Sequence, residues 1–410
     1  MVAEYNPLHN GHQHHIRRTR EKVNPDGIVV VLSSYFTQRG EPALLSKWDR
    51  AESALHAGAN LVLELPVFFS SHNAGVFASG AVDVLAATGL VQTISFGMEE
   101  PDFDVAPLVD ILVQEPITFK DSLKKHLNSG FSYVKARAEA LASINAEYGV
   151  FVSSPNNSLA LAYMEHIARK GLNIQCMPIQ RTGAGYHNTS VTASGEESCF
   201  ASASAICREL LESGLDAVAH TLPVPSFEIL RRSMETGYYV LSTDLLWRMI
   251  RMVLLRTTKK NLSHSSEMTE GMENRLLRYA SECGSWDEFL RKCVTHRYPR
   301  ARIQRQLIHL LLGIDHTENR TFQENGPAYI HPLAADKKGV EMLRAMRKKA
   351  SLPIRGKLPL HAQGAEGKLA SIECLAAEIW ESLTPAFIPG TEKKRHLIRG
   401  QEYAEEGNAP

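Results

Sequence analysis

The run Ile28-Val29-Val30-Val31-Leu32-Ser33 is almost wholly β-branched or aliphatic, a pattern that suits a strand covered on both faces. Leu61-Val62-Leu63-Glu64-Leu65 repeats it, Thr93-Ile94-Ser95-Phe96 is a shorter third run ahead of Gly97, and 174–179 is a fourth interrupted by Pro178. Between them lie segments with apolar residues at helical spacing: His12 to about Val23, Ser46 to Ala57, and Gly75 to Thr88. Ser46 with Asp49 three residues on is a helix start signal, and Gly58 a stop. Buried strands alternating with helices of this length predict an α/β fold with a doubly wound parallel sheet.

A Pro-containing stretch, 221–226, reads as a junction, after which the apolar spacing becomes helical at 241–256, 302–314 and 338–350. The 410 residues therefore divide into a sheet domain at 1–222, a mostly helical domain at 223–390 and a polar tail at 391–410. Hydrophobic residues at 44% suffice for a sizeable core, and 45 basic against 45 acidic residues leave any basic face to be local. No Cys-x-x-Cys spacing occurs among the six cysteines, so reduced thiols and a cytoplasmic location are expected. No apolar run approaches the ~18 residues of a membrane span, so no membrane association is expected.

The chemistry concentrates at Glu4-Tyr5-Asn6-Pro7-Leu8-His9-Asn10-Gly11-His12-Gln13-His14-His15, between a strand stub and a helix. Open α/β sheets bind ligands there, at the carboxyl ends of their strands. Gly11 admits a phosphate close to the backbone, and the free N–H groups and positive end of the following helix face it. His9 and His12 are the candidate catalytic residues, donating hydrogen bonds to a phosphate as charge builds in the transition state. Four histidines within seven residues also suit a metal, but no cysteine or carboxylate pattern completes a shell, so no protein metal site is expected. Only Met1-Val2-Ala3 precede the motif, where a buried strand usually has about five or six residues. Either this strand is clipped or the natural start lies upstream, at some cost in packing beneath the site.

The opening segment resembles that of the HxGH nucleotidyltransferase superfamily. The run Thr37-Gln38-Arg39-Gly40-Glu41-Pro42-Ala43-Leu44-Leu45-Ser46-Lys47-Trp48-Asp49-Arg50 is similar to one family within it, the bacterial tRNA(Met) cytidine acetate ligases. So are the stretches 95–99, 154–157, 179–181 and 295–303. The resemblance implies a nucleotidyltransferase-like domain and a reaction in two steps. Acetate attacks the α-phosphate of ATP, giving acetyl-adenylate and pyrophosphate. The N4 amine of the wobble cytidine (C34) of elongator tRNA(Met) then takes the acetyl group and AMP leaves. It further implies that Val2, Ala3 and the segment Glu4 to His15 hold ATP, accompanied by Mg²⁺, with Gly97, Asn157, Arg181 and Thr182 completing the pocket. Lys47 and Arg50, three residues apart on one helix face, become candidates for phosphate or tRNA contact.

Two departures from the superfamily pattern stand out. The short first strand is one. In the other, Ser202-Ala203-Ser204-Ala205-Ile206-Cys207-Arg208 occupies the place of a second phosphate-binding helix start, where Ser202, Ser204 and Arg208 are candidate contacts. Cys207 stands where arginine is expected, and Arg208 is one residue late, a rotation of about 100° on a helix. Basic clusters at 296–305 (Arg297, Arg300, Arg302 and Arg305 foremost), 344–349 and 393–395 are candidate tRNA contacts. A small-molecule adenylate-forming ligase or nucleotidyltransferase, and a nucleotide- or RNA-binding homologue impaired in catalysis, remain alternatives from the residues alone.

Overall fold

The structure, a computed structural model, describes residues 1–181, 200–269 and 271–400. The apolar runs become the strands. β1 (Val2–Ala3), β2 (Val29–Ser33) and β3 (Leu61–Leu65) are parallel neighbours. β4 (Thr93–Met98) and β5 (Gln175–Gln180) form a second, two-stranded parallel sheet. Proline is tolerated in β5 because that strand has only one neighbour. Two further strands come from the distant end of the chain. β6 (Pro332–Ala335) pairs antiparallel with β3, and β7 (Ile398–Arg399) pairs parallel with β6.

The predicted helices form close to the expected bounds, at Asn10–Val23, Lys47–His56, Ala74–Ala87, Asp244–Arg256, Arg300–Leu311 and Lys337–Lys349. Ser46 caps the second of these by accepting from Asp49 N. Short β1 is held at its start: Met1 is buried, its amine donates to Val29 O (2.8 Å), and burial lowers that amine to about 5.

The predicted boundaries need correcting. Pro223 and Pro225 open the helix Val224–Glu235 rather than a linker, and Ile229 and Leu230 share a core cluster with Leu44, Leu45 and Ile206. With β6 and β7 in the first sheet, a division at 222 does not separate the sheet from the helices. Nor is 391–399 loose. Glu392 is buried within a 3₁₀ turn, Glu392–Lys394, and accepts from Tyr35 Oη (2.6 Å) and Trp48 Nε1 (2.9 Å). Among the described residues, Cys176, Cys207, Cys283, Cys293 and Cys374 are free thiols, and no helix is long and apolar enough to cross a membrane. Cys199 and residues 401–410 lie outside the described residues.

Candidate active site

β1 ends at Ala3 and the helix Asn10–Val23 begins seven residues on, so residues 4–9 lie at the carboxyl edge of the sheet. Glu4 accepts from Gln38 N (2.7 Å), and Asn6 Oδ1 accepts from Leu44 N (2.7 Å). Tyr5 takes a positive φ of 47°, and its ring meets His12 edge-on at 4.9 Å. Pro7 and Leu8 are buried, Asn10 Nδ2 donates to His220 O (2.9 Å), Gln13 is exposed, and His14 lies edge-on to Phe200.

The two motif histidines cap the helix reciprocally. His9 Nδ1 accepts from Gly11 N (3.1 Å), while His12 Nδ1 accepts from His9 N (3.3 Å). A nitrogen that accepts an N–H carries no proton, so in each neutral ring the proton sits on Nε2. Burial, with Arg181 adding to it, lowers His9 to about 3, and burial first, then His9 and Arg181, holds His12 well below the usual imidazole range. Two neutral rings, stacked with centroids 3.7 Å apart, are therefore fixed as Nε2–H donors at a helix N-terminus. Gly11 is what allows this, since a Cβ there would lie 2.9 Å from His9 Cε1.

Arg181 leaves the end of β5 with its N–H on Met98 O (2.9 Å). A Cβ at Gly97 would meet Arg181 Cγ at 3.1 Å, so the glycine makes room for the arginine stem and sets the cation near the imidazoles. Asn157 is fully buried. Its Oδ1 accepts from Glu99 N (2.9 Å) and its Nδ2 donates to Phe151 O (3.3 Å), so it shapes the turn after β4 and would contact a nucleotide only by exchanging those bonds. Thr182 lies outside the described residues.

The second helix start, Ala203–Ser213, is capped by Ser202, which accepts from Ala205 N (3.2 Å). Ser204 Oγ accepts from Arg39 Nη1 (2.9 Å), which brings a cation to that helix start. Arg39 was not singled out from the sequence, although it lies within the Thr37-Gln38-Arg39-Gly40 run. Cys207 turns inward: its thiol donates to Asn6 O (3.6 Å), and burial pushes it up to about 12. It therefore braces the motif loop instead of offering charge, while Arg208 is exposed.

Lys47 and Arg50 do not face phosphate or tRNA. Both are wholly buried. The Arg50 guanidinium donates to Glu4 O (2.7 Å), Ser33 O (2.9 Å), Ser34 O (2.5 Å) and Leu45 O (3.1 Å), gathering the carboxyl ends of β1 and β2. Lys47 Nζ lies among Glu64, Glu373 (2.9 Å) and Glu392 (2.7 Å). Burial alone would lower this ammonium, but the carboxylates Glu373, Glu392 and Glu64 hold it above its ordinary value. Both are positioning residues beneath the site.

The 296–305 cluster is partly committed within the fold. Arg297 Nη2 donates to Leu127 O (2.8 Å), Arg300 pairs with Asp287 (2.5 Å), and Arg302 lies over the Tyr298 ring (4.3 Å). Arg305 Nη1 donates to Gln38 O (3.2 Å), so the helix Arg300–Leu311 rests on the loop that touches Glu4. Gly40, at φ +72°, accommodates that helix, since a Cβ there would lie 2.4 Å from Arg305 N.

His15, whose Nε2 is 3.0 Å from Ser95 Oγ, is lowered to about 3, chiefly by burial. An unfolded histidine titrates near ~6.5, so between these values the unfolded chain binds the extra proton. The contribution of His15 to stability is therefore present above about pH 6.5 and is lost as pH falls toward 3. In urea denaturation at two pH values about two units apart on either side of 6.5, wild type is expected to lose about 1 kcal/mol more than His15→Gln on acidification. Parallel pH slopes for the two proteins would contradict this.

Comparison with known proteins places these features in context. Residues 1–395 match the model of the HIGH Nucleotidyl Transferase family. The chain is 37% identical to a tRNA(Met) cytidine acetate ligase of Thermoanaerobacter sp. (strain X514), over 86% of this chain and 87% of that one. It is 31% identical to that of Halothermothrix orenii over 97% of both chains. The crystal structure of apo Thermotoga maritima TmcAL superposes with a TM-score of 0.90 at 31% identity, covering 97% of this chain and 99% of that one. A second, bound with alpha-thio ATP, gives 0.88 at 30% identity over the same shares.

Proposed function

Since the chain belongs to the HIGH nucleotidyl transferase family and, within it, to the tRNA(Met) cytidine acetate ligases, we propose that it activates acetate with ATP and acetylates N4 of the wobble cytidine of elongator tRNA(Met). The observation that carries this reading is the stacked pair of neutral imidazoles, His9 buried and His12 half-buried, fixed as Nε2–H donors at the start of the helix Asn10–Val23. A carboxylate is a poor acyl donor until its oxygen becomes part of a good leaving group. Attack of an acetate oxygen on the α-phosphorus expels pyrophosphate and leaves acetyl-adenylate. The cytidine amine then attacks the acetyl carbon, the C–O bond to AMP breaks, and the amine proton is lost.

In this reading His9 and His12 donate to the phosphate as negative charge builds in the first step. Neutral donors suit this better than imidazolium ions, because they gain most where charge develops and do not over-bind the ground state. Residues 2–15 form the nucleotide floor. Gly97, Asn157 and Arg181 form its wall, with Arg181 supplying positive charge, and Thr182 is assigned to the same pocket from the sequence alone. Ser202, Ser204 and Arg39 stand at the second helix start as further phosphate contacts. Mg²⁺ accompanies ATP in this reading, carried by the phosphates and water. A cytoplasmic location is the expectation that goes with action on tRNA.

The direct test of the first step is exchange of labelled pyrophosphate into ATP. Exchange is expected only when acetate is present, and without any RNA. Exchange that ignores acetate but responds to a different carboxylic acid would point to a small-molecule ligase instead.

A further inference from the structure

Acetyl transfer to an amine releases a proton that some group must take. The exocyclic amine of cytosine shares its lone pair with the ring, so it attacks an acyl carbon well only if an N–H proton departs as the C–N bond forms, which a positioned base makes possible. The motif histidines do not serve. Each Nδ1 accepts a main-chain N–H and each Nε2 carries the ring proton, so neither ring has a free lone pair. Other carboxylates around the carboxyl ends of the strands are committed. Both oxygens of Glu99 accept, from Asn156 Nδ2 (2.5 Å) and Asn157 N (2.9 Å). Glu41 accepts from Gln304 Nε2 (3.1 Å), on the helix Arg300–Leu311. Glu64, Glu373 and Glu392 are buried around Lys47.

Glu4 differs. It is the first residue after β1, at the carboxyl edge of the sheet. Its Oε1 accepts from Gln38 N (2.7 Å), whereas its Oε2 accepts from none of the described residues. Its own carbonyl is held as well, accepting from Arg50 Nη1 (2.7 Å). A half-buried side chain is therefore clamped through one oxygen and open at the other. The groups that face it come from every side: Arg39 and Glu41 from the loop after β2, Arg50 from the helix Lys47–His56, and Tyr163 from the helix Pro155–Lys170. Cys207, on the helix Ala203–Ser213, faces the same Arg39 and Glu41. Tyr163 lies against Phe96 of β4, ring centres 5.7 Å apart, while Gln38 follows β2. The Glu4 carboxylate thus stands over the end of β1 between groups from the β2 side and the β4 side, in the crevice where an open α/β sheet takes its ligands. Burial raises this carboxyl above its ordinary value, against the opposing pull of the Gln38 N–H, Arg39 and Arg50, which improves it as a proton acceptor.

We propose that Glu4 is the catalytic base of the acetyl-transfer step. Its Oε2 takes an N4–H proton as N4 bonds to the acetyl carbon. The C–O bond to AMP then breaks, its electron pair leaves on the phosphate oxygen, and Glu4 passes the proton to water. The proposal rests on the tRNA ligase reading, because it is the amine acceptor that needs a base. Glu4→Gln is the informative change: its amide oxygen can still accept from Gln38 N, but the side chain can no longer take a proton. Glu4→Asp keeps a carboxylate at a shorter reach.

Full-length wild type, Glu4→Gln and Glu4→Asp are compared in two assays. Acetate-dependent pyrophosphate exchange without RNA reads the first step. Transfer from supplied acetyl-adenylate to elongator tRNA(Met), followed across a range of pH, isolates the second. Glu4→Gln is expected to slow transfer by about 10²–10⁴-fold, while exchange, which draws on the same nucleotide floor, falls by no more than about tenfold. Wild-type transfer should fall as pH drops through the titration of Glu4, since the base must be ionised. That acid limb should vanish in Glu4→Gln and persist at a lower rate in Glu4→Asp. Glu4→Gln transfer within about threefold of wild type, or exchange lost as severely as transfer, would overturn the base and leave the ligase reading standing. A wild type that exchanges pyrophosphate but acetylates this tRNA neither from ATP and acetate nor from acetyl-adenylate would refute the ligase reading and the base with it.

Discussion

His12→Ala is expected to slow acetate-dependent pyrophosphate exchange by about 10²–10³-fold, the usual cost of removing one preorganised donor to a developing anion. His12 Nδ1 is occupied by His9 N–H, and burial keeps the ring neutral, so the donor lost is the Nε2–H. The loss should fall mainly on kcat, with a smaller change in KM for ATP, because the bond strengthens as charge accumulates in the transition state. Removing the ring also opens one half of the helix cap, worth about 1 kcal/mol. The variant should therefore unfold at slightly lower urea while remaining folded in the assay. His12→Gln, which keeps an N–H at a similar reach, should retain more activity than His12→Ala. An alanine variant within about threefold of wild type would remove His12 from the chemistry.

Lys47→Met is expected to destabilise the fold by about 3–5 kcal/mol, the range for removing one partner from a buried ion cluster. Lys47 is the ammonium among Glu64, Glu373 and Glu392, all of them buried. Burial and the neighbouring Glu64 already push Glu373 up to about 8, whereas Lys47 and His331 outweigh burial and hold Glu64 down at about 2. Without the ammonium, the carboxyls must take up protons to stay buried, and their folded pKa values rise above the unfolded ones. The added loss of stability should therefore grow as pH rises above the ordinary carboxyl range and shrink below it. Urea midpoints at pH values on either side of that range check both the size and the sign. A variant as stable as wild type but impaired in tRNA acetylation would restore the reading of Lys47 as a substrate contact.

How much of this was legible follows from the length scale of each signal. β2 and β3 were readable because a continuous β-branched run has few other uses, and the helix after His9 because its motif and its spacing agree. β6 and β7 were not, since Pro332-Leu333-Ala334-Ala335 and Ile398-Arg399 are too short and too weakly patterned to mark strands. Lys47 and Arg50 were misplaced for a different reason: charge suggested solvent. Yet Ala51 and Ala54 share their helix face at spacings of three, four and seven, which marks that face as core. Glu392 was assigned to a loose tail because its compensating partner, Lys47, lies at the other end of the chain, where no local pattern reveals it. Cys207 stood out in the sequence because arginine was expected there, but its contact with Asn6 O needed the fold.

The most direct measurement of the central claim is transfer of labelled acetate to purified elongator tRNA(Met), with the product nucleoside identified by mass spectrometry. N4-acetylcytidine is expected at the wobble position, dependent on ATP and nearly abolished in His12→Ala. Acetate-dependent pyrophosphate exchange with no label entering this tRNA would contradict it and direct the acetyl group to another acceptor.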